Sequence, residues 1–149
     1  MEKKIIARNK RASHDYFILD TIECGIVLTG TEIKSIRMGK VSIQEAYCQI
    51  KNNQMIIFNM DISKYHLGTL FNHQEKRDRI LLMHKKEIRK YGQKVQLEGL
   101  TIIPTLLYFK EGLVKVEIAL CKGKKNYDKR EDLKREAMNN DKKKALKNY

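Results

Sequence analysis

Residues 113–120 read Leu-Val-Lys-Val-Glu-Ile-Ala-Leu, and their alternation restricts the fold more than any other feature of the chain. Val114, Val116, Ile118 and Leu120 fall on one side, and Lys115, Glu117 and Ala119 on the other. A repeat of two residues is that of a half-buried strand. Residues 101–109 form a second β-rich run, and Lys110-Glu111-Gly112 between them supplies a turn with glycine, so the two predict a hairpin. Residues 46–51 and 54–58 flank Asn52-Asn53, two residues that tolerate positive φ, and predict another. Pro104, the only proline, lies inside a strand, which places it at an edge or a bulge.

Two shorter β-rich runs, 16–19 and 26–28, are separated by polar residues including Asp20 and Glu23, read as a turn. Helical periodicity appears over 31–38, with Gly39 as its stop, and over 83–91, with Gly92 as its stop. Many short strands with turn signals and peripheral helices predict a mainly β fold, a small closed or nearly closed antiparallel barrel. Closure removes exposed sheet edges.

A chain of 149 residues has the size of one domain, and 42% apolar content is enough for a core. No apolar run approaches the roughly 18–20 residues of a membrane span, and the N-terminus lacks a secretory apolar stretch. A soluble, cytoplasmic protein is expected. Its net charge of +13 exceeds the magnitude of about 2–8 that solubility favours, and so points to a polyanionic partner. Residues 122–149 hold 11 basic and 5 acidic residues with little apolar periodicity. The expected organisation is therefore a folded, nucleic-acid-binding body over 1–121 and a basic, loosely structured C-terminal tail over 122–149.

Catalytic material is sparse. Cys24, Cys48 and Cys121 are widely spaced and read as buried free thiols, and the four histidines show no zinc spacing. His14-Asp15, and His84 with Glu87, can be drawn as acid–base pairs, but no phosphate loop, nucleophile elbow or metal constellation accompanies them. No enzymatic activity, cofactor, metal or small-molecule substrate is expected.

Binding has better candidates. Asn9-Lys10-Arg11 precedes the first of these runs, Lys34, Arg37 and Lys40 line the first helical segment, and Arg77 and Arg79 precede the apolar residues 80–83. Lys122, Lys124 and Lys125 leave the last strand. Arginine forks onto phosphates and stacks on bases, while lysine supplies point charges. Tyr16, Tyr47, Tyr65 and Tyr91 are candidate stacking platforms, against ordinary core packing. Glu23 and Glu32 cannot face phosphate favourably. Either can accept from a base amino group, orient a neighbouring Arg or Lys, or be a plain surface acid.

Several strings are specific in combination: Asn9-Lys10-Arg11-Ala12 with Asp15-Tyr16, Glu23-Cys24-Gly25, and Gly30-Thr31-Glu32-Ile33-Lys34-Ser35-Ile36-Arg37. Residues 77–84, residues 106–110 and Gly123-Lys124-Lys125-Asn126-Tyr127-Asp128-Lys129-Arg130 continue the series. In this order they resemble the SsrA-binding protein family (small protein B, SmpB) over nearly the whole chain. The resemblance implies a barrel partly similar to the oligonucleotide-binding fold. It implies binding to the tRNA-like domain of transfer-messenger RNA, delivery of that RNA to stalled ribosomes for peptide tagging, and no catalysis. It adds Asn9, Glu23, Gly25, Leu82, Glu32 and Ser35 to the RNA-binding set. Tyr127, Asp128, Lys129, Arg130, Lys134 and Arg135 become the tail segment that engages the decoding region and mRNA channel. A monomer binding RNA one-to-one is implied. Cys24 stands where the family usually has Ala, and Gln74-Glu75 where Asp-Pro is common, which predicts a less rigid loop before Arg77. Asn139-Asn140 interrupts the tail with weak helix formers. The alternatives are a basic ribosomal or initiation-type barrel, which would bind RNA without this partner, and a nuclease.

Overall fold

The structure, a computed structural model, describes residues 3–68 and 72–124. In chain order the elements are β1 (Lys3–Arg8), α1 (Ala12–Asp15), β2 (Tyr16–Ile26), α2 (Gly30–Arg37), β3 (Val41–Ser42) and β4 (Tyr47–Lys51). Then come β5 (Gln54–Phe58), β6 (Asp61–Ile62), β7 (Arg79–Leu82), α3 (Lys85–Glu98), β8 (Thr101–Lys110) and β9 (Leu113–Gly123). Lys125 and the expected tail residues Tyr127, Asp128, Lys129, Arg130, Lys134 and Arg135 lie outside the described residues.

All strand pairings are antiparallel, in the order β1-β8-β4-β5-β7-β2-β9, and β9 pairs again with β8. Six strands therefore come round into a near-ring, with β1 added on the outside of β8. The joint between β4 and β8 rests on the single register pair Cys48↔Ile102. A separate small sheet pairs β3 with β6.

Both expected hairpins form. Asn52 and Asn53 take φ of 52° and 61°, and Glu111 and Gly112 take 55° and 78°, so each two-residue turn has the positive φ that right-twisted strands require. Pro104 sits at an irregularity in the β8–β9 register, between Pro104 and Leu106. Its missing N–H therefore interrupts no regular ladder.

Other expectations need correction. Residues 16–28 are not two runs around a turn: β2 runs unbroken from Tyr16 to Ile26. Thr21 and Glu23 are compatible with this because they point to the exposed face, and a register shift between Ile18 and Asp20 absorbs the irregular segment. Residues Lys3–Arg8 add a further strand, β1, with Ile6 and Ala7 packed partly against the core and the lysines outside. The helix expected over 83–91 is α3, which passes through Gly92 and stops at Gly99, whose φ of 65° suits glycine. Gly92 answers a different need, because a Cβ there would lie 3.3 Å from Ile50 Cδ1.

The interior contains Cys24 of β2, Cys48 of β4, Met55 and Ile57 of β5, Leu81 of β7, Leu107 of β8, and Val116, Ile118 and Leu120 of β9. Ile36 of α2 and Ile88 and Tyr91 of α3 belong to the same cluster, which is how both helices are anchored. Tyr91, a candidate stacking platform, is buried and donates its hydroxyl hydrogen to Asp20 Oδ2 at 3.0 Å. Ala119 and Cys121 are buried too, clustered with Ala12 of α1 and Ile103 of β8, so the end of β9 is covered on both faces. All three cysteines are free and buried; burial pushes the Cys24 thiol up to about 12 and Cys121 to about 11, so they stay neutral.

Candidate nucleic-acid interface

Cross-strand register brings residues distant in sequence onto one outer face. Glu23 and Gly25 are two apart on β2; Gly25 pairs with Leu82 on one side and Lys115 on the other, and Glu23 pairs with Glu117. Directly opposed residues share a face, and so do residues two apart. Tyr108 pairs with Lys115 and Lys110 with Leu113, which extends the face onto β8.

Leu82 is 57% exposed, and Leu113 is 59% exposed. Gly25 makes room for Leu82: a Cβ on residue 25 would meet Leu82 Cδ1 at 3.3 Å. An open groove of about 260 Å³ lies here, with Leu82, Phe109 and Val114 among its apolar walls and Arg37 and Lys115 as its cations. An apolar floor with cations at the rim is suited to a base or ribose edge flanked by phosphate.

Glu23 is anchored. The Tyr108 hydroxyl donates to Glu23 Oε1 at 2.6 Å, and Lys110 Nζ donates to it at 3.3 Å. The Tyr108 hydrogen bond and then Lys110 hold the Glu23 carboxyl below its usual range. Sequence reasoning did not single out Tyr108; its register opposite Lys115, on the face of Glu23, was the only available signal.

Asn9 reaches this face through the backbone. Its N–H donates to Thr105 O at 2.9 Å, and Thr105 Oγ1 donates to Glu117 Oε2 at 2.6 Å. The Asn9 side chain is used locally: Nδ2 donates to Pro104 O at 3.0 Å and Oδ1 accepts from the Arg11 N–H at 3.2 Å. It thereby shapes the turn into α1.

The basic candidates fall into two groups. Around α1, Lys10 is exposed, Arg11 pairs with Glu45 at 3.2 Å, Lys122 is exposed, and Lys124 Nζ donates to Ser13 O at 3.4 Å and lies 4.7 Å from the Phe17 ring centre. Around α2, Lys34 and Arg37 are exposed, with Lys34 Nζ 5.5 Å from the Tyr65 ring centre. Of the other tyrosines, Tyr47 stacks on Phe58 at 5.3 Å and Tyr16 packs against the α1 cluster.

Three expected contact residues are not on the surface. Glu32, Ser35 and Arg79 have 0%, 1% and 0% exposure, so their side chains cannot touch RNA in this fold. Glu32 instead orients arginines. Its Oε2 accepts from Arg79 Nε at 2.7 Å and its Oε1 from Arg77 Nη2 at 2.7 Å. Oε1 also accepts from the Thr29 N–H at 2.8 Å, closing a capping box at the start of α2. Burial alone would raise the Glu32 carboxyl, but hydrogen bonds from Arg77, the Thr29 amide and Arg79 outweigh it and hold it at about 2. The Glu32 hydrogen bond raises Arg77, whereas burial lowers Arg79; both remain cationic at neutral pH. Arg79 also donates to the carbonyls of Met60, Gln74 and Glu75 at 2.7, 3.4 and 3.1 Å. His73 bonds Thr31 Oγ1 at 3.0 Å and Ile62 O at 2.8 Å. His73, Gln74 and Glu75, which precede Arg77, thus take part in polar contacts with the rest of the fold.

The family described as SmpB protein matches residues 6–148 of the chain. The chain belongs to the SmpB family. The SsrA-binding protein of Acetivibrio thermocellus is 52% identical over 138 residues, covering 92% of this chain and 90% of that protein. The SsrA-binding protein of Enterococcus faecalis is 48% identical over 147 residues, covering 99% and 96%. A chain of the solved structure described as "tmRNA-SmpB: a journey to the center of the bacterial ribosome" is 43% identical, with a TM-score of 0.67 over 89% of this chain and 93% of that one. Among the described residues of this SmpB-family chain, no helix is long and apolar enough to cross a membrane, and no group of three His, Cys, Asp or Glu could hold a metal ion.

Proposed function

We propose that this chain is an RNA-binding protein, without catalytic activity, that binds the tRNA-like domain of transfer-messenger RNA and brings it to stalled ribosomes for trans-translation. The observation that carries the reading is family membership at about 50% identity over most of the chain, with relatives that are SsrA-binding proteins. The net charge of +13 and the groove of Leu82, Arg37 and Lys115 agree with it physically.

On this reading the near-ring is a small barrel akin to the oligonucleotide-binding fold, and residues 1–121, joined by the lysines at the root of the tail, carry the RNA surface. Asn9, Lys10, Arg11, Glu23, Gly25, Lys34, Arg37, Arg77, Leu82, Lys122, Lys124 and Lys125 form that surface, while Glu32, Ser35 and Arg79 support it from within. The tail over 122–149 enters the mRNA channel through Tyr127, Asp128, Lys129, Arg130, Lys134 and Arg135. Coupled ordering of such a tail costs about 2–5 kcal/mol, offset by contacts with ribosomal RNA. The protein works in the cytoplasm, as a monomer bound one-to-one to its RNA.

The test is to purify the full chain from its own cells and sequence the RNA that accompanies it. Transfer-messenger RNA should dominate. Recovery of ribosomal RNA alone would favour a structural ribosomal protein.

A further inference from the structure

Glu23 is held mainly through one oxygen, and its side chain is 32% exposed. Oε1 takes the 2.6 Å hydrogen bond from Tyr108 and the 3.3 Å one from Lys110, whereas Oε2 has only a 3.5 Å approach by Lys110 Nζ. Tyr108 is itself packed in place. Its side chain is fully buried and Lys3 Nζ lies 4.7 Å from the ring centre. Two residues along β2 from Glu23 stands Gly25, and the Leu82 side chain lies over it: a Cβ on residue 25 would meet Leu82 Cδ1 at 3.3 Å. A carboxylate repels phosphate, so its favourable partners on a nucleic acid are N–H groups of the bases.

We propose that Tyr108 is a positioning residue for RNA recognition, fixing Glu23 so that Oε2 stands as an oriented acceptor for the amino or imino N–H of a nucleobase edge. The proposal rests on the RNA-binding reading above. It gives this part of the face a base-reading role, distinct from the phosphate attraction of the surrounding lysines. Fixing the carboxylate before binding also removes the ordering cost of a free glutamate side chain.

Tyr108 and Lys110 of β8 and Lys115 of β9 act on Glu23; Glu117 of β9 stands opposite it in register, and Lys3 of β1 lies beyond the tyrosine ring. β7 presents the apolar Leu82, and the buried Cys24 thiol feels the charges of both Glu87 of α3 and Glu23. Of these, Tyr108 lowers the Glu23 carboxyl most. Removing its hydroxyl therefore raises the pH at which Glu23 takes up a proton.

The experiment uses the full chain and a transcript of the tRNA-like domain, with Tyr108→Phe, Glu23→Gln and the double variant. Tyr108→Phe keeps the ring and should weaken binding by about three- to tenfold, the range for loss of one orienting hydrogen bond. The slope of log affinity against log salt should stay unchanged, since no phosphate contact is lost. In the Glu23→Gln background the same substitution should cost nothing more. Wild-type affinity should fall on acidification, fall at a higher pH in Tyr108→Phe, and stay comparatively flat in Glu23→Gln. An equal loss from Tyr108→Phe in both backgrounds would overturn the proposal. So would coincident pH profiles for wild type and Glu23→Gln, a comparison that remains decisive if Tyr108→Phe does not fold. Absence of transcript binding by the wild type would overturn the functional reading itself.

Discussion

The Glu32 carboxylate and the Arg79 guanidinium meet at 2.7 Å with neither side chain reaching solvent. Through this pair the start of α2, the first residue of β7 and the carbonyls of Met60, Gln74 and Glu75 are tied to one point. Arg77, with its side chain 35% exposed, completes the set from the rim. The surface that bears Arg37 and Leu82 therefore rests on a buried polar network.

Breaking this network from one side leaves a charge without its partner. Arg79→Met should lower unfolding stability by about 3–5 kcal/mol, the range for an orphaned member of a buried ion pair. Urea denaturation measures it. A loss below about 1 kcal/mol would mean that Arg77 and water replace Arg79. Replacing Glu32 and Arg79 together by Leu and Met should cost less than the sum of the single changes.

Acid should find the same pair. Glu32 is held at about 2 in the folded chain against an ordinary 4.5. A depressed carboxylate contributes stability that is fully present above about 4.5 and is lost as pH falls toward 2. The whole effect is of the order of 3 kcal/mol for a difference of this size. Melting temperature followed between these limits should drop steeply in the wild type and less steeply in Glu32→Gln, which is destabilised at neutral pH.

Leu82→Asn isolates the groove. The side chain is 57% exposed, so little core packing is lost and melting temperature should change by only a few degrees. Affinity for the tRNA-like RNA should fall, since the apolar surface offered to a base or ribose is gone. A large stability loss with unchanged affinity would return Leu82 to a purely structural role.

The body and the tail should come apart functionally. Changing Asp128, Lys129 and Arg130 to alanine alters the net charge by one unit, so long-range attraction to RNA hardly changes. Binding to the tRNA-like domain should stay within a few-fold, while peptide tagging on stalled ribosomes collapses. A parallel loss of both would place these residues in the RNA interface.

The sequence by itself determined what depends on neighbours along the chain. Two-residue alternation marked β9, Asn52-Asn53 and Glu111-Gly112 marked the hairpin turns, and helical periodicity over 31–38 with Gly39 as its stop marked α2, because turns, helix stops and strand faces are set by local geometry. Motif strings spread from Asn9 to Arg130 pointed to the family. Tertiary structure decided which charged residues are surface and which are interior. Arg37 and Arg79 look alike as basic residues in a basic chain, yet one rims a groove and the other is sealed at 0% exposure. Burying an arginine is tolerable only where a carboxylate and several carbonyls converge, and those partners come from residues 32, 60, 74 and 75. The single strand through Asp20 and the Tyr108–Glu23 contact, 85 residues apart in sequence, likewise follow from strand register, which no local pattern contains.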